Sequence, residues 1–341
     1  MEGGSRTGPI ENVPTAKRIC IYGAGAVGTI LGTWLARAGH DVSLIARGAQ
    51  LEALRTVGAV VSTANEDLTA SPRCTANPEE LGPQDLVFIT AKAPSLPGIL
   101  PRLPPLLWAE TVVLTVMNGL PWWMFQAPDA SDDDRLQIDC LDPDGALSRS
   151  LPLERILGCV VNIGATMLRA GHVRQSPSHL LVVGEPDGRS TPRLEMVVDL
   201  LKRSGLNARA TNKIRDAYWK KLLGNISFGP VSVLTGATNG QIGDDPGLHR
   251  LCRTIIDEVT KVGEKLGVPP DADPEERIRI GSLLRDHRTS MLQDFIAGRP
   301  LEIDAIVTAV IQLARHYGVA VPATTAVWAL LRGRLKERDR T

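Results

Sequence analysis

Excess charge is the first thing this 341-residue sequence lacks, with 38 basic side chains against 38 acidic ones. A chain balanced in this way gives no reason to expect nucleic acid or an anionic membrane surface as partner, whereas a small anionic ligand needs only local charge. Cysteine pairs are missing too. Cys20, Cys74, Cys140, Cys159 and Cys252 are scattered without a C-x-x-C spacing, which argues against a disulfide framework or a zinc site and for a reducing compartment. No apolar run approaches the length of a membrane span. Residues 1–16 carry Gly, Ser, Pro and Glu without an apolar core, so a disordered arm is expected there and not a signal peptide, and the expected address is the cytoplasm. Neither a repeat nor a low-complexity segment interrupts the rest. Aromatic residues are few, and Pro121-Trp122-Trp123-Met124-Phe125 concentrates them. Covering a site, packing a domain junction and forming a subunit contact are equally open roles for that run.

What is present is ample for two domains with cores, since 43% of the residues are hydrophobic. The stretch from Lys17 to Arg47 reads as strand, glycine turn, helix, strand. Arg18 to Tyr22 is β-prone, and Gly23-Ala24-Gly25-Ala26-Val27-Gly28 follows in the spacing G-x-G-x-x-G. In this arrangement Gly23 allows the tight turn, Gly25 lets backbone approach a pyrophosphate, and Gly28 permits close packing of the helix. The helix from about Val27 to Ala38 aims its free N–H groups and positive dipole end at the phosphates. Sites that prefer NAD place an acidic residue about twenty positions further on. Here Arg47 stands instead, and a guanidinium can hold a 2′-phosphate through charge-assisted hydrogen bonds, so the expected cofactor is NADPH.

Further strands are expected at Ala59–Ser62, Leu86–Thr90 and Thr111–Val116, alternating with helices as in a mostly parallel, doubly wound sheet. Between the last two, the proline-rich segment Pro94–Pro105 allows only a short or kinked helix. Ligands of such sheets sit beyond the carboxyl ends of the strands, which singles out Lys92 and Asn118-Gly119. The run Asp129 to Arg135 reads as a solvated loop. Ile156–Asn162, His172–Gln175 and Leu180–Val183 read as three strands, followed by a helix over Pro192–Ser204 and a short strand at Asn207–Ala210. From Ile214 the pattern turns helical. Lys221 and Asn225, four apart, share one helix face. The expected organisation is an arm over 1–16, a Rossmann-type NADP-binding domain over 17–212, a helical substrate and catalytic domain over 213–331, and a charged, fraying tail over 332–341.

Four stretches together, the glycine turn, Trp219-Lys220-Lys221-Leu222 with Asn225, Ser290-Met291-Leu292-Gln293-Asp294 and Glu302-Ile303-Asp304, resemble the ketopantoate reductases (2-dehydropantoate 2-reductases) over about residues 17–330. The resemblance implies an α/β fold with a helical C-terminal domain and NADPH-dependent reduction of a small anionic 2-oxo acid in pantothenate biosynthesis. It leaves a homodimer open. By the same resemblance Lys221 and Glu302 are catalytic. Asn225, Ser290 and Asn118 bind substrate, and Gly23 to Gly28, Arg47, Lys92 and Asn118 bind cofactor. The chemistry suits them. A lysine ammonium can hydrogen-bond the keto oxygen and donate a proton to it as hydride reaches the carbon, and Glu302 nearby is expected to keep Lys221 charged and oriented. One departure stands out. The family carries a second asparagine four residues after the first, and this chain has Gly229. The loop from Gln126 to Pro152 is also longer than a minimal member needs. Reduction of a different 2-oxo acid on this scaffold, or a catalytically weak NADPH-binding sensor, are the alternatives.

Overall fold

The computed structural model describes residues 16–126, 136–268 and 273–340. The arm up to residue 15 and the acidic run Asp129 to Arg135 therefore lie outside the described residues.

Short apolar runs build one ten-stranded sheet: β1 (Arg18–Tyr22), β2 (Asp41–Ile45), β3 (Ala59–Ser62), β4 (Asp67–Ala70), β5 (Arg73–Thr75), β6 (Leu86–Ile89), β7 (Val112–Val116), β8 (Ile156–Arg169), β9 (His172–Gly184) and β10 (Ala208–Ala210). Its order is β4-β3-β9-β8-β7-β6-β1-β2-β5, with β10 beside β9. The segment β5-β2-β1-β6-β7-β8 is parallel throughout. All four residues of β6 and all five of β7 are buried, as expected of strands covered on both faces. Helices α1 (Ala26–Arg37), α2 (Gly48–Thr56), α3 (Leu96–Ile99), α4 (Ala146–Ser150) and α5 (Pro192–Arg203) accompany the sheet. The prolines around α3 restrict it to four residues between 3-10 turns.

The three strands expected between Ile156 and Val183 are in fact one long hairpin, β8 and β9. The polar run Ser176-Pro177-Ser178 reads as a break, yet the register passes from Ile163↔His179 to Ala165↔Gln175 through a bulge. The bulge leaves Pro177 without a ladder partner, where its missing N–H costs nothing. The start of β9 pairs with β3, curling the sheet back over α1.

The second half is helical: α6 (Ile214–Thr235), α7 (Asn239–Asp244), α8 (Pro246–Lys265), α9 (Pro274–Ser282), α10 (Ser290–Ile296), a π-helical turn (Asp304–Thr308), α11 (Ala309–His316) and α12 (Pro322–Arg338). The charged end expected to fray after Leu331 is instead the last part of α12. Leu331 is buried, Arg332 stacks on Trp328, and Arg334 and Arg338 lie over Phe295, so cation–π contacts and burial hold the last turns. The aromatic run packs the junction of the halves. Trp123 is fully buried, donates from Nε1 to Thr115 Oγ1 at 2.9 Å, and meets Tyr218 of α6 edge-on at 5.6 Å. At a second seam Gly119, at φ +75°, brings backbone against Ala305, where a Cβ would stand 2.6 Å from its carbonyl oxygen. No helix among the described residues is long and apolar enough to cross a membrane.

Candidate active site

The glycine turn lies between β1 and α1, at the carboxyl edge of the sheet. Gly23 has φ +110°, and a Cβ there would meet the Ala91 amide nitrogen at 2.7 Å. A Cβ on Gly28 would meet the Gly23 carbonyl and, at 2.6 Å, Thr90 Oγ1. Only glycine lets α1 start this close to the turn. Around Gly25 there is no protein atom for a Cβ to meet. No acidic side chain stands in the first turn of α1, so its positive end is left uncompensated for an anion. Two residues that spacing did not reveal brace the turn: Thr90 Oγ1 donates to the Gly23 carbonyl at 2.6 Å, and Gln50 Nε2 donates to the Ala24 carbonyl at 2.8 Å. Arg47 follows β2, exposed, at the backbone N-cap of α2. These residues fit a 2′-phosphorylated dinucleotide: the first-turn amides of α1 for the pyrophosphate and, beyond β2, an exposed guanidinium with no hydrogen bond among the described residues.

Lys221 is carried into the junction by α6. Lys220 beside it is exposed, so Lys221 is the inward lysine. Its Nζ donates to Asn118 Oδ1 at 2.6 Å and to the Val161 carbonyl of β8. Asn118, just past β7, reaches the other way and donates from Nδ2 to Glu302 Oε2 at 3.4 Å. Glu302 is 9% exposed, and its Oε1 accepts from the Ala93 amide at 3.4 Å. Lys221 and Glu302 thus form no direct ion pair among the described residues; Asn118 stands between them. The expectation that Glu302 itself orients the ammonium is corrected to orientation through Asn118.

Glu302 favours the ammonium form of Lys221, as expected, while burial acts against it. Burial pushes Lys221 down to about 8, and the opposing influence of Glu302, followed by Cys159, only partly offsets it. Burial likewise pushes the Glu302 carboxyl up, while the Ala93 amide, Lys92, Asn118 and Lys221 pull it back. The sequence shows a lysine with an ordinary, high pKa; burial in the fold lowers it to about 8.

Lys92 does not lie free beside the glycine turn. Its Nζ pairs with Asp294 Oδ2 of α10 at 2.5 Å and donates to the Pro300 carbonyl at 3.3 Å. Asp294, 9% exposed, also accepts from Arg299 Nε at 2.8 Å. Asp294 ends the Ser290–Asp294 motif, and that acidic residue four positions after Ser290 was the available signal for it. Asn225 lies one turn beyond Lys221, half-buried, outside this hydrogen-bond network. Ser290 is exposed at the first residue of α10 and also stands apart from it. Thr289 does the capping, accepting from the Leu292 amide at 3.1 Å. Gly229 is buried one turn past Asn225, and a Cβ on it would touch Met291 Cε at 3.4 Å. The row Lys221, Asn225, Gly229 therefore runs from charged to polar to apolar.

Two family models match the chain: Ketopantoate reductase PanE/ApbA over residues 19–188 and Ketopantoate reductase PanE/ApbA C terminal over residues 213–335. A 2-dehydropantoate 2-reductase of Mesorhizobium japonicum is 38% identical over 322 residues, covering 94% of this chain and 98% of that one. Among solved structures, one from Ralstonia solanacearum MolK2 superposes with a TM-score of 0.89 at 38% identity, covering 95% of this chain and 99% of that one. The ternary structure of D-mandelate dehydrogenase with NADH and anilino(oxo)acetate superposes with a TM-score of 0.79 at 22% identity, covering 94% and 98%, which is a likeness of fold. Both halves match their family models in chain order, and a relative sharing 38% of its residues over nearly its whole length is a 2-dehydropantoate 2-reductase, so the chain belongs to the ketopantoate reductase family of oxidoreductases.

Proposed function

We infer that this chain reduces 2-dehydropantoate (ketopantoate) to pantoate with NADPH. Residues 17–212 serve as the cofactor half and 213–331 as the substrate and catalytic half, and the setting is pantothenate biosynthesis in the cytoplasm. The observation that carries this reading is the Lys221 ammonium, fixed by Asn118 and the Val161 carbonyl at the meeting of the two halves and shifted by burial to about 8. When bound, the nicotinamide supplies hydride to the keto carbon. Lys221 hydrogen-bonds the keto oxygen, stabilises the charge that develops on it and delivers the proton from Nζ. Asn118 hands the substrate side a lysine whose direction is already set, and Glu302 behind it keeps the ammonium form favoured. Asn225 and Ser290, whose side chains make no hydrogen bond among the described residues, provide polar groups for the substrate's carboxylate or hydroxyl.

The proton donor is the ammonium, so reduction requires the protonated state. Because burial lowers Lys221 from its ordinary 10.5 to about 8, kcat/KM for the substrate should be level below about pH 8 and fall about tenfold per pH unit above it. A pH profile of kcat/KM from substrate titrations checks this; a value that holds level to pH 10 removes Lys221 from the role.

Gly229 supports a second reading, the same reduction on another 2-oxo acid. The apolar patch it shares with Met291 offers no hydrogen bond to a distal substrate hydroxyl. Loss of one such bond costs about ten- to a hundred-fold. The deciding assay follows NADPH oxidation with ketopantoate and a panel of branched and linear 2-oxo acids. Turnover on ketopantoate well above the rest is the expected result. Preference for another acid transfers the reading to that acid, and silence across the panel with NADPH still bound leaves a nucleotide-binding sensor.

A further inference from the structure

Three adjacent parallel strands bring an unassigned arginine to the edge where Arg47 stands. Tyr22 pairs with Ile45, and Ile45 with Thr75, in register. The Ala46 amide donates to the Thr75 carbonyl at 3.0 Å, which keeps the chain in step past the strand ends. Arg47 and Asn77 each stand two residues beyond the last pair, at the same edge of the sheet. Arg102, at the end of the 3-10 turn Leu100–Arg102, reaches this place from the next segment of chain. Its Nη2 donates to Asn77 Oδ1 at 2.9 Å and lies 3.4 Å from Glu79 Oε2.

Tyr22, at the end of β1, pairs with Ile45 next to this edge; it is 2% exposed, and its hydroxyl is buried without a hydrogen-bond partner among the described residues. Buried polar atoms of this kind ordinarily find partners. Burial pushes that hydroxyl up, and the charges of Arg102 and then Arg47 oppose the rise. Two guanidiniums at one edge of the sheet offer forked donors suited to an oxyanion. The carboxylate present, Glu79, is about half exposed. Exposed pairs of this sort are weak, so a phosphate dianion can take its place on Arg102.

We propose that Arg102 is a second cationic ligand for the 2′-phosphate of the cofactor, closing on it opposite Arg47, with Asn77 holding its guanidinium in place. Arg102 thereby shares with Arg47 the selection of NADPH over NADH. This rests on the NADPH reading given above.

The test uses the full chain and measures dissociation constants for NADPH, NADH, 2′,5′-ADP and 5′-AMP. Arg102→Gln is expected to weaken NADPH and 2′,5′-ADP by about ten- to a hundred-fold while leaving NADH and 5′-AMP unchanged, the loss of one charged hydrogen bond to a phosphate. Arg102→Lys, which keeps the charge and guards against a folding defect, should lie in between. Glu79→Gln should tighten NADPH by about two- to five-fold as the weak surface partner is removed. An Arg102→Gln variant that binds all four ligands as the parent does, or loses all four equally, overturns the proposal; if Arg47→Gln still loses NADPH selectively, the cofactor reading survives that result. A parent chain that binds NADH as tightly as NADPH overturns both.

Discussion

Lys221→Ala is expected to lower kcat by about 10²- to 10⁴-fold, the usual contribution of a positioned proton donor. NADPH affinity should be kept, because Arg47 and the glycine turn lie on β1, β2 and their loops and not on α6. The loss arises at one atom. With Nζ gone, hydride transfer would leave an alkoxide without a proton source, in a site where Asn118 Oδ1 and the Val161 carbonyl are acceptors and repel it. The same substitution at the neighbouring exposed Lys220 should leave kcat within about two-fold, as surface changes usually do. Single-turnover kinetics with preformed NADPH complex separates the chemical step from binding. Near-parental turnover in Lys221→Ala would sink the mechanism, and loss of NADPH binding would show that α6 supports the cofactor site as well.

Glu302→Gln should reduce kcat by about ten- to a hundred-fold at neutral pH and more steeply at alkaline pH. Two effects combine. Removing the negative charge takes away the largest influence that holds Lys221 up against burial, so the alkaline limb of the pH profile must move to lower pH. The amide also presents a donor where the Ala93 amide and Asn118 Nδ2 need an acceptor, which loosens the orientation of Asn118 and, through it, of Lys221. The measured quantity is the position of that limb in the variant relative to the parent. A limb that stays in place while kcat falls would assign Glu302 to packing of the segment 294–305 and not to the charge state of the lysine.

Much of this protein was legible one segment at a time. The glycine spacing, the apolar runs beyond it and Arg47 at the end of β2 lie within some thirty residues of one another, and local periodicity places them without reference to the rest. The four-residue spacing of Lys221 and Asn225 likewise puts them on one helix face whatever α6 packs against. Resemblance supplied roles for residues further apart, but neither spacing nor resemblance could say what touches what. The tertiary structure decided that Asn118 stands between Lys221 and Glu302, although 103 and 184 residues separate the two bonded pairs. It also decided that Asp294 takes Lys92, and that Thr289, not Ser290, caps α10. The long hairpin of β8 and β9 stayed hidden because a bulge absorbs Ser176 to Ser178, a feature of pairing and not of either strand alone. The acidity of Lys221 came last of all, since burial sets it, and burial exists only once the loop after β7, the strand β8 and the helix α6 have come together at one ammonium.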